Sequence, residues 1–92
     1  MSVPVIIEQH MPKIYTEVLA MDLDLITPLN VHEAMNNSIL RPGHVYVVPG
    51  GYHAEVKKYS NQKIILLHRG PRERDNRPSI DVLIRSVIQV YQ

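Results

Sequence analysis

The chain of 92 residues contains no cysteine. This absence excludes a disulfide scaffold, a thiolate nucleophile, iron–sulfur clusters and cysteine zinc sites. Tryptophan and phenylalanine are missing too, and ten Lys and Arg against nine Asp and Glu leave a net charge of +1. Few aromatics and no dominant charge argue against nucleic-acid or anionic-membrane binding. No apolar run approaches the roughly 20 residues of a membrane helix, and Met1-Ser2-Val3-Pro4 lacks the basic region of a secretory signal. We therefore expect a small soluble, cytoplasmic domain.

What is present is a series of short apolar runs separated by turn residues. Residues 3–7 form a β-branched run typical of a strand buried on both faces, with Pro4 at its start. The further predicted elements are a helix over 13–24, strands over 31–34 and 45–48, a hairpin of 53–59 with 63–68, and a helix over 80–91 with one apolar face. Asn36-Asn37-Ser38 and Arg41-Pro42-Gly43 are predicted turns. Strands alternating with helices indicate an α/β fold.

His10 is the most informative single residue. Ligands of open α/β sheets bind beyond the carboxyl ends of the strands, and His10 follows the first predicted strand. A histidine there can act as a general base or a proton relay. The alternative is an ordinary polar loop residue or a satisfied histidine.

Two further segments are candidates. Pro49-Gly50-Gly51-Tyr52-His53 follows a predicted strand, so its backbone and His53 either line a site or simply connect into the hairpin, and the spacing favours the connection. Arg77-Pro78-Ser79 either binds an anion at a helix N-terminus or only begins the helix. No pair of the five histidines has the i, i+4 spacing of metal ligands, and we predict no metal.

Several strings resemble one family, the chemotaxis protein-glutamate methylesterases of the CheB type. The strings are Gln9-His10-Met11-Pro12, Arg41-Pro42-Gly43-His44-Val45-Tyr46, Pro49-Gly50-Gly51-Tyr52-His53, Gly70-Pro71, and Arg77-Pro78-Ser79-Ile80-Asp81-Val82-Leu83-Ile84-Arg85-Ser86. None of them is specific alone, but their order and spacing match the family almost from end to end. The resemblance implies a partial doubly wound parallel sheet with an added β-hairpin and two helices.

The resemblance also implies a function. The family hydrolyses glutamate methyl esters on the cytoplasmic part of chemoreceptors with a Ser–His–Asp triad and no cofactor. His10 matches the catalytic histidine. The substrate-binding residues that we predict from the same strings are Met11, Gly50, Gly51, His53, Arg77 and Ser79.

The departures from the family pattern are as important as the matches. The serine of the family lies in a Gly-Ala-Ser-Thr-Gly-Gly turn before the histidine strand, and its aspartate lies in a Gly-Met-Gly-x-Asp-Gly loop after the last helix. The 92 residues contain neither string. We therefore expect residues 1–92 to be one domain that resembles the middle half of the catalytic domain and is inactive by itself.

Two further hypotheses stay open beside the enzyme fragment. The chain is alternatively a non-catalytic remnant that binds receptors, or a structural protein that associates with itself. A partial sheet exposes strand edges and apolar helix faces, so we also expect a homodimer or a higher homo-oligomer.

Overall fold

The computed structural model describes residues 3–9 and 11–69. In chain order, the elements are β1 (Val5–Ile7), α1 (Lys13–Ile26), β2 (Asn30–Glu33), β3 (Ser38–Ile39), β4 (His44–Val47), β5 (His53–Tyr59) and β6 (Gln62–His68). The α/β class, the helix and the strands predicted from the sequence are confirmed, with ends that differ by a residue or two. The predicted turn is present at Asn36 and Asn37, and the short strand β3 begins at Ser38, the last residue of that prediction. The predicted helix over 80–91 lies outside the described residues.

Three strands form a parallel sheet in the order β1-β4-β2. The central strand β4 pairs Val45 with Val5 on one side and with Val31 on the other. The helix α1 makes the crossover that parallel strands of one sheet require, because it carries the chain from β1 to β2, on the far side of β4. β1 and β2 are the two outer strands of this sheet, and β4 lies between them.

The other three strands form an antiparallel sheet in the order β3-β6-β5. β5 and β6 are the predicted hairpin, which pairs Tyr59 with Gln62 across a two-residue turn. Ser60 has a φ of 57° in this turn, and Asn37 has a φ of 70° in the turn before β3. Asn37 therefore adopts the left-handed conformation that its residue type tolerates. The side chain of Asn36 accepts a hydrogen bond from the amide of Leu67 at 2.8 Å, which fixes that turn on β6.

Alternation along β4 creates two separate hydrophobic cores. Val45 and Val47 belong to a core formed with Ala20 of α1. Tyr46 and Val48 belong to a second core, formed with residues of the antiparallel sheet such as Ile65. Because successive side chains of a strand point to opposite faces, β4 is buried on both sides, as a continuous apolar run predicts. The described part is therefore layered as helix, parallel sheet and antiparallel sheet.

The hydroxyl of Tyr46 joins the parallel sheet to β3 and the segment that follows it. It donates a hydrogen bond to the carbonyl oxygen of Ile39 and accepts one from the amide of Arg41, both at 2.9 Å. The Tyr46 side chain is almost fully buried, and its polar end thus has partners in both directions. This contact fixes the chain between β3 and β4.

The helix α1 buries a different face from the one that its largest side chains suggest. Thr16 and Ala20 are its buried residues, while Leu19 and Leu23 pack at the edge of the core. The large side chains that remain exposed on α1 are Ile14, Tyr15, Val18, Met21, Leu25 and Ile26. The sequence pattern groups Ile14, Tyr15 and Val18 in one stripe with Leu19 and Leu23, and the first three of these side chains face solvent. Among the described residues, no helix has the length and hydrophobicity to cross a membrane.

Candidate functional site

Three loops meet at the carboxyl edge of the parallel sheet. Glu8 and Gln9 follow β1, Ala34 follows β2, and residues 48–51 follow β4. Because the three strands run in one direction, their ends lie at the same edge, where open α/β sheets bind ligands. The predicted residues Met11, Gly50 and Gly51 belong to this edge.

Gly50 packs directly against the segment that follows position 10. A β-carbon at residue 50 would lie 2.5 Å from the backbone nitrogen of Lys13 and 2.6 Å from the carbonyl carbon of Pro12, and it would also collide with the carbonyl oxygen of Met11. These neighbours are backbone atoms, so they cannot rotate away. At Gly51 the space for a β-carbon is open, and glycine is favoured instead by the positive φ of 86°. The two glycines therefore serve a close approach and a turn, respectively.

Thr16 connects the three parts of this edge through hydrogen bonds. Its hydroxyl accepts from the amide of Gly50 at 3.2 Å, and it lies 2.7 Å from Oε2 of Glu33. It also lies 2.8 Å from the carbonyl oxygen of Lys13, so one hydroxyl proton serves two acceptors. Thr16 has no exposed surface. The loop after β4, the start of α1 and the end of β2 are thus held by one buried hydroxyl.

Lys13 extends this network to the surface. Its ammonium group lies 2.9 Å from Oε1 of Glu33 and 2.9 Å from Oε1 of Glu17. The hydrogen bonds to Glu17 and Glu33 raise the pKa of Lys13 above its ordinary value. Glu33 therefore uses one carboxylate oxygen for Lys13 and the other for Thr16, so both of its oxygens have a partner.

Glu8 is a buried carboxyl next to position 10. Both of its carboxylate oxygens are inaccessible to solvent, and neither has a hydrogen-bond partner among residues 3–9 and 11–69. Burial raises its pKa from 4.5 to about 7. The carboxyl is consequently divided between its neutral and charged forms near neutral pH, which suits a group that exchanges protons.

His53 lies at the start of β5, immediately beyond the glycine loop. Its side chain is 1% exposed, and its ring centroid is 5.4 Å from that of His68 on the paired strand. Nε2 of His68 lies 3.5 Å from Oε2 of Glu55. His53 is thus buried at the open end of the hairpin, where it pairs with His68. Its assignment as a substrate-binding residue stays a prediction.

The remaining predicted site residues, His10, Arg77 and Ser79, lie outside the described residues. Within the described ranges, no group of three or more His, Asp or Glu side chains is arranged to hold a metal ion. Sequence reasoning missed Glu8, Thr16, Lys13 and Glu33 as parts of this edge. One signal for Thr16 was available, because Thr16 and Ala20 are small residues at i, i+4, a spacing that marks the helix face in closest contact with a sheet.

Fold and edge together define an α/β domain whose candidate site lies at the carboxyl ends of parallel strands. The CheB methylesterase family profile matches residues 1–92. The chain is 37% identical over 90 residues to protein-glutamate methylesterase/protein-glutamine glutaminase 1 of Rhodospirillum rubrum, covering 98% of this chain and 23% of that protein. It is 42% identical over 88 residues to the corresponding protein of Archaeoglobus fulgidus, covering 96% and 25%.

A solved structure shows the same relationship in three dimensions. The crystal structure of the CheB methylesterase catalytic domain of Thermotoga maritima superposes with a TM-score of 0.91 at 32% identity, covering 96% of this chain and 47% of that one. The chain belongs to the CheB methylesterase family. It spans about a quarter of the length of the relatives named above and about half of the solved catalytic domain.

Proposed function

We propose that this chain supplies the histidine-bearing half of a domain that hydrolyses glutamate methyl esters on the cytoplasmic part of chemoreceptors. The observation that carries the proposal is the packing of Gly50 onto Met11–Lys13, which fixes the chain next to position 10 at the carboxyl edge of the sheet. A catalytic group needs such fixed placement, because small displacements cost large factors in rate. The family membership supplies the reaction, and the proposed compartment is the cytoplasm.

In this proposal His10 is the general base. In a Ser–His–Asp triad, the histidine takes the serine proton as the hydroxyl attacks the ester carbonyl, and it then gives that proton to the departing methoxide, which leaves as methanol. Water then attacks the acyl-enzyme, His10 takes a proton from it and gives that proton to the departing serine oxygen, and the free glutamate side chain is released. Met11, Gly50, Gly51, His53, Arg77 and Ser79 are the proposed substrate contacts.

The same logic predicts that the 92 residues are inactive by themselves. The serine turn and the aspartate loop of the family are not among them. Without a nucleophile, the triad cannot form an acyl-enzyme, and without the aspartate the imidazole loses its tautomer control.

Methanol release from a methylated receptor fragment tests both statements. We expect no release above background from the chain alone, and release when a polypeptide carrying the serine and aspartate strings of a relative is added. His10→Ala should abolish the restored activity, whereas His32→Ala, which changes an exposed histidine of β2, should retain it. Restored activity that survives His10→Ala would refute the role of His10.

A non-catalytic module that associates with itself is the second candidate. The outer edges of β1 and β2 have no strand partner among the described residues. Open strand edges pair readily with other chains. Sedimentation equilibrium tests this candidate, for which we expect a symmetric dimer, and a monomer across the micromolar range would exclude it.

A further inference from the structure

The solvent face of α1 carries a regular apolar stripe. Ile14, Val18, Met21 and Leu25 follow one another at spacings of four, three and four residues, and their exposed fractions lie between 48% and 83%. This spacing places all four side chains in one line along the helix, as in the contact seam of a coiled coil. Tyr15 and Ile26 are exposed as well, and they lie beyond Asp22 on one side of this line. Such a line of large side chains in water marks a surface that binds another element.

The stripe is bordered by acidic residues on both sides. At about 100° per residue, Glu17 and Asp24 fall along one border and Asp22 along the other. Lys13 is the one basic residue of the helix, and it is already bonded to Glu17 and Glu33. The borders therefore present negative charge to any partner.

A groove next to the stripe extends this acidic surface. It runs between α1 and β2, and its lining includes Glu17, Asp24, Glu33 and Met21. Glu17 and Asp24 thus belong both to the groove and to the border of the stripe. Three carboxylates on this side, those of Glu17, Asp24 and Glu33, face the single ammonium group of Lys13, so the surface keeps a net negative charge.

We propose that this face of α1 binds an amphipathic helix of another protein, one whose apolar stripe is flanked by Lys and Arg. A second copy of α1 is the wrong occupant, because either helix direction brings Glu17, Asp22 and Asp24 near the same acidic residues of the copy. Like charges at these flanking positions disfavour pairing, and opposite charges favour it. The proposal concerns the solvent face of α1, whose groove meets the carboxyl edge at Glu33, and it does not depend on ester hydrolysis.

Two synthetic peptides test the proposal directly. Both have about three heptads with Leu at the seam positions, and they differ only in carrying Lys or Glu at every flanking position. The labelled peptides are titrated with the 92-residue protein and followed by fluorescence anisotropy. We expect the Lys peptide to bind at least about tenfold more tightly than the Glu peptide. Its affinity should fall as the salt concentration rises. Equal binding of the two peptides, or no binding of the Lys peptide, would overturn the proposal.

Variants locate the binding face. Met21→Lys places a charge in the stripe, and Met35→Lys is its matched control, because Met21 and Met35 are 67% and 72% exposed and Met35 lies off the helix. We expect Met21→Lys to lower the affinity for the Lys peptide at least about tenfold and Met35→Lys to leave that affinity unchanged. Leu25→Ser is a second variant, and circular dichroism checks that each protein is folded. Unchanged binding in Met21→Lys, or a wild-type dimer that Met21→Lys dissociates, would contradict the proposal.

Discussion

The amide of Gly50 donates a hydrogen bond to the hydroxyl of Thr16 at 3.2 Å, across 34 residues of sequence. This bond joins the loop after the central strand to the first turn of α1. It exists because Gly50 has no side chain to hold the two backbones apart. One small residue on each element therefore determines how closely the two sides of the candidate site approach.

Removal of the Thr16 hydroxyl should destabilise the fold. In Thr16→Val the buried amide of Gly50 loses its acceptor and Glu33 loses a donor, and a buried group left without a partner costs about 1–3 kcal/mol. Thr16→Ser keeps the hydroxyl and should cost less. Urea denaturation measures both variants, and an equal loss in the two would show that the methyl group, rather than the hydrogen bond, matters here.

A methyl group at residue 50 should cost more than one at residue 51. Gly50→Ala collides with the backbone of Met11–Lys13, whereas Gly51→Ala meets open space and pays only for its positive φ, about 1–2 kcal/mol. We expect Gly50→Ala to exceed that cost and to shift the amide resonances of Lys13 and Thr16. The thermal midpoints of the two variants show which substitution costs more stability. A larger loss in Gly51→Ala than in Gly50→Ala would mean that the loop after β4 moves freely.

Glu8 should make stability fall as pH rises. Its pKa is about 7 in the folded chain against an ordinary value of 4.5, so the native state binds more protons than the unfolded state between these values. The free energy of unfolding therefore decreases from about pH 4.5 to about pH 7 and is flat above, by on the order of 1 kcal/mol, because Glu8 as a whole residue is half-buried although its carboxylate oxygens are covered. Glu8→Gln cannot ionise and should lose this dependence. Denaturation at pH 5 and pH 8 provides the measurement, and identical slopes in the two proteins would contradict the burial of this carboxyl.

The hydroxyl of Tyr46 should contribute to stability through two backbone contacts. Tyr46→Phe leaves the carbonyl of Ile39 and the amide of Arg41 without this partner, and we expect a loss of about 1–2 kcal/mol. Tyr59→Phe is the matched control, because the Tyr59 side chain is mostly exposed. Guanidinium denaturation of the two variants should separate them, and equal midpoints would mean that water replaces the Tyr46 contacts without cost.

Much of the fold was predictable because it depends on local patterns. The β-branched runs of β1 and β4, and the alternation and turn residues of the hairpin, each specify an element without reference to the rest of the chain. The pairing order was not predictable in this way, because β4 enters between two earlier strands through contacts between distant residues. The face of α1 was misjudged for a related reason. Its largest side chains suggested the buried stripe, whereas the small residues Thr16 and Ala20 are the ones buried where the helix packs on the sheet, chiefly on β2.

The residues of the candidate site also differ in whether the sequence alone could identify them. Gly50 and Gly51 were identifiable from the sequence, because glycines after a strand indicate close approach or positive φ. Glu8 was not identifiable, since its raised pKa depends on burial by residues from other elements. Thr16 and Glu33 act on each other across 17 residues, and no spacing rule connects them.

The strand order also determines when the chain can assemble during synthesis. Among the described strands, β1 and β2 pair in the parallel sheet only with β4. A nascent chain that has emerged as far as residue 43 therefore holds β1 and β2 without the strand that pairs with both of them. Formation of the parallel sheet is delayed until the ribosome has released His44–Val47, and the segment before it depends on slow, non-local pairing. Translational pauses ahead of residue 44 would prolong exposure of these strands, and pauses after residue 47 would let the sheet close first.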